Sequence, residues 1–235
     1  AATALVVGNP SRFEHPQLAY GLGVYPDAIA LVPGGGYKQL QVQIGDFQDV
    51  SAAASGTRYF IGNADVAAVG ADGLLTAGAE GFTDVTIVHQ GAEIIVPVRV
   101  RAPHAEQATL GVEGGAVAAS DGAIVAIAPN ALEGDTAVSF TAVAQEDLPM
   151  APPPDWGYVA AYDLRVGEEA LETPAQLAIP VRADIAPGTK LFLFRAGHIP
   201  DEQGALTPIW FQDEIAIVGE DHIARTSSPP FPGVN

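Results

Sequence analysis

The sequence predicts an all-β protein made of two tandem, mostly antiparallel β-sandwich domains. Short segments in which every second residue is apolar recur along the chain, and no window shows a convincing three-turn amphipathic helix. The 26 glycines and 19 prolines supply the many turns that short strands require. With 235 residues, the chain is long enough for two domains of roughly 100 residues, each with its own core.

The strong excess of acidic residues limits the partners. There are 28 Asp and Glu against 10 Lys and Arg, a net charge of −18, and most of the acids follow residue 105. Nucleic acids and anionic membranes require basic binding faces, so neither is expected as a partner. No apolar run is long enough to insert into a membrane. The chain has no cysteine, which excludes disulfides, thiol catalysis and Cys-type zinc sites.

The N-terminal residues 1–25 are the least regular part of the chain. Segments 3–8 and 19–24 each read as a short strand, separated by the turn signal Asn9-Pro10-Ser11. We expect either the last strand of a preceding module or an N-terminal extension that pairs with a neighbour. The residues leave both interpretations open.

Residues 26–101 contain an ordered series of strand patterns. The clearest feature is a hairpin in which the Asp72-Gly73 turn joins the apolar segments 66–69 and 74–77. Further strands are predicted at 28–32, 37–44, 57–61, 81–88 and 92–100. In their order, these segments resemble the bacterial group-2 immunoglobulin-like domain, a module of adhesins and surface enzymes. The resemblance implies that the first sandwich is immunoglobulin-like.

After a linker at 102–104, residues 105–225 repeat the pattern of short strands. Strands are predicted at 111–117, within 121–132, and at 135–143, 158–164, 175–181, 191–195 and 208–211. The Gly114-Gly115 start and the 175–181 segment resemble the ZU-type β-sandwich, which also occurs in bacterial surface proteins. The resemblance implies a ZU-like second domain. The proline-rich residues 226–235 are expected to be a linker or tail.

No motif indicates an enzyme. There is no Gly-x-Ser-x-Gly nucleophile elbow, and Gly34-Gly35-Gly36 lacks the Gly-Lys-Ser/Thr ending of a phosphate loop. The five histidines show no i, i+4 pair of the kind that binds metal on a helix. Some ZU-type domains cleave themselves at a His-Phe-Ser step, which this sequence lacks. We therefore expect no catalytic residues.

Adjacent acids are the candidate metal ligands. Interpreted as loop clusters, Asp201, Glu202, Asp213 and Glu214 could offer hard oxygen ligands to a structural Ca²⁺ ion. None follows the spacing of a dedicated calcium loop, and solvated acidic loops are the alternative. Otherwise no cofactor is expected.

Trp156 and Tyr158 are the candidate ligand-binding residues. They follow Pro152-Pro153-Pro154 in a predicted excursion from the sandwich, where an aromatic ring can stack on a sugar or anchor a partner. The alternative is that both rings fold back and plug the end of the sandwich. Trp210 lies in an apolar strand and is interpreted as core.

The sequence thus favours a non-catalytic, extracellular structural or adhesive module of a bacterial surface or secreted protein. Its expected partners are neighbouring modules or subunits, and residues 1–24 are a candidate strand for donation to a neighbour. The alternative function is a carbohydrate- or protein-binding module that uses Trp156. The expected ligand would then be a glycan or a cell-surface protein.

Overall fold

A computed structural model describes residues 21–34, 36–45, 48–153, 156–167, 171, 173–200 and 204–226. These residues form twenty β-strands and two short 3-10 helical turns, Ala53–Ser55 and Gln145–Asp147. The predicted all-β fold is therefore confirmed. No helical segment in the described part of the chain has the length and apolar character that a bilayer crossing requires.

The first sandwich contains ten strands. They are β1 (Leu22–Tyr25), β2 (Ile29–Leu31), β3 (Tyr37–Gln39), β4 (Gln41–Ile44), β5 (Gln48–Asp49), β6 (Arg58–Ile61), β7 (Ala67–Val69), β8 (Leu74–Ala77), β9 (Gly81–His89) and β10 (Ala92–Val100). One face consists of the sheets β1-β4-β5 and β3-β8-β7, and the other face is the sheet β2-β10-β9-β6. Only β2 and β10 pair in parallel; the other pairs in this sandwich are antiparallel.

This pairing has immunoglobulin-like topology. Since only Leu40 separates β3 from β4, the two act as one strand that joins β1 on one side to β8 and β7 on the other. The result is a four-stranded face opposite the face that contains β6, β9 and β10, as in constant-type immunoglobulin domains. Alternating apolar residues from both faces, among them Val42, Leu75, Ile87 and Val98, form a single buried core.

The hairpin predicted around Asp72-Gly73 is present as β7 and β8. The Gly70 amide donates to the Leu74 carbonyl at 2.8 Å, and Gly73 has a positive φ of 83°. A Cβ atom at Gly73 would lie 2.8 Å from the Tyr59 hydroxyl, so glycine is required there for space as well as for conformation.

The second sandwich also contains ten strands. They are β11 (His104–Ala105), β12 (Gln107–Leu110), β13 (Gly115–Ala118), β14 (Ile124–Ile127), β15 (Thr136–Ala142), β16 (Tyr162–Val166), β17 (Gln176–Pro180), β18 (Lys190–Pro200), β19 (Leu206–Val218) and β20 (Ile223–Thr226). The sheet β11-β13-β14-β17-β20-β19-β18 packs on the smaller sheet β12-β15-β16. Phe140, fully buried between the sheets, stacks on Tyr162 with ring centroids 4.8 Å apart.

The β18–β19 hairpin is much longer than the adjacent strand β20. In β19, only Ala216–Val218 pair with β20, so within the described residues the rest of the hairpin continues as a two-stranded ribbon. A β-bulge lies between Leu193 and Phe194. Bulges bend a strand and redirect its side chains, and this one lies opposite Asp213 and Glu214.

Several boundaries differ from the sequence interpretation, and His104 of the predicted linker lies in β11. Leu22–Tyr25 form β1 and pair with β4, so these residues belong to the first sandwich and not to a separate extension. Tyr158 precedes β16, which begins at Tyr162. Strands β12 and β20 have no counterpart among the predicted strands. Residues 1–20 and 227–235 lie outside the described part of the chain.

The two sandwiches contact each other directly. Strand β2 packs against β13 and β14, and Ala28, which precedes β2, is buried in the core of the second sandwich. Arg99 in β10 also forms an ion pair with Glu113, with 3.2 Å between Nη2 and Oε2. The two sandwiches are therefore joined by apolar contacts of β2 and Ala28 as well as by the covalent linker.

A polar cluster around the buried Lys38 and Glu214, which we call the junction cluster, completes this contact. It consists of Tyr37 and Lys38 from the first sandwich and Gln176, Glu214 and Arg225 from the second. Lys38 Nζ donates to Gln176 Oε1, and the guanidinium carbon of Arg225 lies 4.4 Å from the centroid of the Tyr37 ring. Lys38 and Glu214 are 6% and 3% exposed. Burial lowers the pKa of Lys38 to about 7, although the negative charge of Glu214 opposes this shift.

Candidate functional site

A large cavity in the second sandwich lies beneath the loop that connects β15 to β16. We call this loop, described at residues 143–153 and 156–161, the proline-rich loop. The cavity measures about 780 Å³ and is bounded by the loop on one side and by the β18–β19 hairpin on the other. Its volume is within the usual range for small-molecule sites, and most of its wall is apolar.

Hydrogen bonds hold the proline-rich loop over the hairpin. The Val143 amide donates to the Ala161 carbonyl at 2.8 Å and closes the base of the loop. Across the cavity, Trp210 Nε1 in β19 donates to the Ala151 carbonyl, also at 2.8 Å. Proline-fixed backbone between these two anchor points lowers the entropy that the loop loses when it is ordered. The roof of the cavity is thus fastened at its base and at its far side.

Both predicted ligand-binding residues line this cavity. The Trp156 ring packs on Phe192 and Phe194 of β18, with centroid separations of 4.5 and 5.8 Å. Nevertheless, Trp156 is 47% exposed. The Tyr158 hydroxyl donates to the Val143 carbonyl at 3.4 Å, within the loop itself. Trp156 therefore folds back onto the hairpin, as one interpretation expects, and still presents a large part of its ring.

An incompletely paired acid and base also lie in the cavity wall. Arg195 Nε and Asp213 Oδ1 are 3.7 Å apart, and their side chains are only 19% and 4% exposed. Neither of these two atoms has a hydrogen-bond partner among the described residues. Burial raises the pKa of the Asp213 carboxyl, and the neighbouring Arg195 opposes this shift. The Arg195 guanidinium also lies over Phe211, 5.1 Å from its ring centroid.

Two of the four predicted calcium ligands, Asp213 and Glu214, lie in a strand and not in a loop. They both lie in β19, at the bulge where Leu193 pairs with Glu214 and Phe194 with Gln212. Asp213 faces Arg195, whereas Glu214 is buried beside Lys38 in the junction cluster. Asp201 and Glu202 lie outside the described residues. Within the described ranges, no group of three or more Asp, Glu or His side chains is arranged to hold a metal ion.

Sequence reasoning missed several residues of the cavity wall. Trp210 was assigned to the core, but it is only partly buried and bonds to the loop. The segment 191–195 was identified as a strand, with no indication that Phe192, Phe194 and Arg195 face a loop 40 residues away in sequence. The signal that could have revealed them is a basic residue in an edge strand whose other members are almost all apolar.

Comparisons with known proteins do not assign this chain to a family. No family model and no curated protein matches the sequence. Among solved structures, the chain is similar to the S-layer protein rSbsC, with 12% sequence identity and a TM-score of 0.27. The match covers 91% of this chain and 38% of the S-layer chain. Similarity at this level carries no argument about function.

Proposed function

We propose that this chain is a non-catalytic structural unit of a bacterial surface or secreted protein, in which two β-sandwiches form one rigid spacer. The observation that carries the proposal is the buried junction cluster. A flexible pair of modules joined by a short linker would leave Lys38 and Glu214 in water. Here both charges are buried between the modules, together with their hydrogen-bonding partners.

Buried polar contacts favour one relative orientation of the two sandwiches. A buried polar group that loses its hydrogen-bond partner is destabilising, so any rotation that separates Lys38 from Gln176 carries a free-energy cost. The packing of β2 on β13 and β14 adds an apolar contact that such a rotation would also break. Together these contacts support a unit that transmits position and force from one module to the next.

The finer parts of the proposal come from the sequence. The Big-type and ZU-type resemblances support an extracellular location and adhesive or structural partners. Assembly through a donated N-terminal strand stays a prediction for residues 1–20 only, because Leu22–Tyr25 already pair with β4. Structural calcium also stays a prediction, and the arrangement of Asp213 and Glu214 gives it no support.

Rigidity can be measured directly because the chain has no cysteine. Spin labels at Ile95→Cys and Ala137→Cys would lie on exposed positions of β10 and β15, one in each sandwich. Double electron–electron resonance should then give one narrow distance distribution. The Lys38→Met variant should broaden it, whereas Arg182→Ala, which removes an exposed ion pair, should leave it unchanged.

A broad distribution in the otherwise unaltered chain would contradict the rigid-spacer proposal. The proposal would also be contradicted if Lys38→Met and Arg182→Ala gave identical distance distributions, because the junction cluster would then have no part in the orientation of the two sandwiches.

A further inference from the structure

We propose that the cavity beneath the proline-rich loop binds a neutral saccharide, with Trp156 as the stacking surface and the Arg195–Asp213 pair as the hydroxyl-binding group. This inference goes beyond a structural role, because it gives the second sandwich a ligand. It depends on three separate features of the cavity: its aromatic wall, its incompletely paired polar atoms and its charge.

The aromatic wall suits the apolar face of a sugar ring. Trp156 is 47% exposed at the cavity, and the rings of Phe192 and Phe194 support it from behind. A broad ring that is held in place but half uncovered can contact the C–H groups of a pyranose with little loss of side-chain entropy. Trp210 is fixed by its bond to Ala151 and extends the aromatic wall across the cavity.

The polar atoms specify the other face of the ligand. Arg195 Nε is a donor and Asp213 Oδ1 is an acceptor, and 3.7 Å separates them. A hydroxyl is both an acceptor and a donor, so one hydroxyl can satisfy the two atoms together. The two atoms are themselves enclosed by protein, so a sugar hydroxyl reaches them once the partly exposed Arg195 side chain turns aside. A purely apolar ligand would leave both atoms without a partner.

The charge around the cavity excludes anionic sugars. Asp147, Asp163 and Asp213 line it, against Lys190 and Arg195, and the whole chain carries a net charge of −18. A carboxylate or sulfate would be repelled by the negative protein, and in the cavity it would lie close to the Asp213 carboxylate that accompanies Arg195. The site therefore favours neutral hexoses and N-acetylhexosamines over uronic acids.

Tryptophan fluorescence can report on this cavity specifically. The chain has two tryptophans, Trp156 and Trp210, and both line the cavity. We would titrate the intact chain with cello-, malto-, manno- and chitotetraose, and with tetragalacturonate as the anionic comparison. At least one neutral tetrasaccharide should give a saturable change in emission, and tetragalacturonate should give none.

Three variants test the assigned residues. Trp156→Ala should weaken binding about tenfold, the usual effect of truncating an aromatic anchor, and Trp210 remains as the reporter. Asp213→Asn should weaken it about fivefold, since hydrogen bonds to a charged acceptor are roughly twice as strong as neutral ones. Phe60→Ala removes a ring of similar exposure, 54%, from the first sandwich and should leave binding unchanged.

Circular dichroism and the denaturation midpoint would verify that each variant is folded. If Trp156→Ala does not fold, Trp156→Phe and Asp213→Asn test the same site. The proposal is overturned if no neutral tetrasaccharide gives a saturable signal at millimolar concentration. It is equally overturned if tetragalacturonate binds more tightly, or if Phe60→Ala weakens binding as much as the cavity variants do.

Discussion

Asp213 and Glu214 are neighbours in β19, yet they lie in two very different surroundings. Glu214 belongs to the junction cluster, where Lys38 is hydrogen bonded to Gln176 and the adjoining pocket measures only about 180 Å³. Asp213 lies in the wall of a 780 Å³ cavity, where its Oδ1 and the Arg195 Nε are 3.7 Å apart without a hydrogen bond. The comparison separates two uses of a buried charge. The junction cluster suits stability and orientation, and the Arg195–Asp213 pair in the cavity wall suits binding.

The comparison predicts that the two sites differ in their contribution to stability. Replacing Lys38 by Met keeps the volume but removes the buried donor to Gln176 Oε1. We expect a loss of about 2 kcal/mol in the free energy of unfolding at pH 10, where deprotonation of the Lys38 amine costs the fold little and the hydrogen bond is what the variant lacks. Equilibrium denaturation in guanidinium chloride would measure it.

If Lys38→Met lowered the free energy of unfolding by less than about 1 kcal/mol, the junction cluster would contribute no more than an ordinary surface ion pair. The two sides of β19 would then not differ, and the rigid-spacer proposal would lose its main support.

The depressed pKa of Lys38 makes the stability of the junction depend on pH. Burial lowers this pKa from 10.5 to about 7, so between these values the unfolded chain holds a proton that the folded chain has released. Stability must therefore rise as pH increases from 7 towards 10. From pH 7 to 9 the contribution is about 2 kcal/mol. The pKa of Tyr25, the other titratable group beside Glu214, is raised by burial, so its phenol stays protonated in this window.

Unfolding free energies at pH 7 and pH 9, measured for the original chain and for Lys38→Met, isolate this effect. The variant should show a flatter dependence on pH. Parallel curves for the two proteins would mean that Lys38 titrates normally and is not enclosed as described.

Much of the first sandwich could be predicted because its information is local. The Asp72-Gly73 turn and the alternating residues of β9 and β10 specify strands without reference to distant contacts. Residues 22–25 were the exception. Their membership in the first sandwich depends on pairing with β4, which lies some 20 residues later and leaves no mark on their own sequence.

The candidate site could be predicted only in part. Trp156 and Tyr158 stood out because a run of prolines marks an excursion from the sheet. Arg195, Asp213 and Trp210 could not be assigned, because the cavity depends on where the proline-rich loop meets a hairpin about 50 residues away. Likewise, the sequence alone gave no reason for Asp213 and Glu214 to have different partners, since that difference arises at the β-bulge between β18 and β19.

On the open side of β19, Asp213→Asn should have a smaller effect on stability than Lys38→Met. The Arg195–Asp213 pair has no hydrogen bond between its closest atoms, and Arg195 retains its contact with Phe211. We expect a loss of about 1 kcal/mol in the same denaturation assay. A loss as large as that of Lys38→Met would mean that the pair stabilises the fold, and would weaken its assignment to a binding site.

The smallest effect is expected for an ion pair that belongs to neither region. Arg182 and Asp184 lie 3.1 Å apart in a turn, with side chains that are 73% and 68% exposed. Solvent and salt screen such a pair, so Arg182→Ala should change the unfolding free energy by less than about 0.5 kcal/mol. This variant sets the baseline for the comparison across β19. If it destabilised the chain as much as Asp213→Asn, the effect at Asp213 could not be attributed to burial, and the distinction between open and exposed pairs would fail.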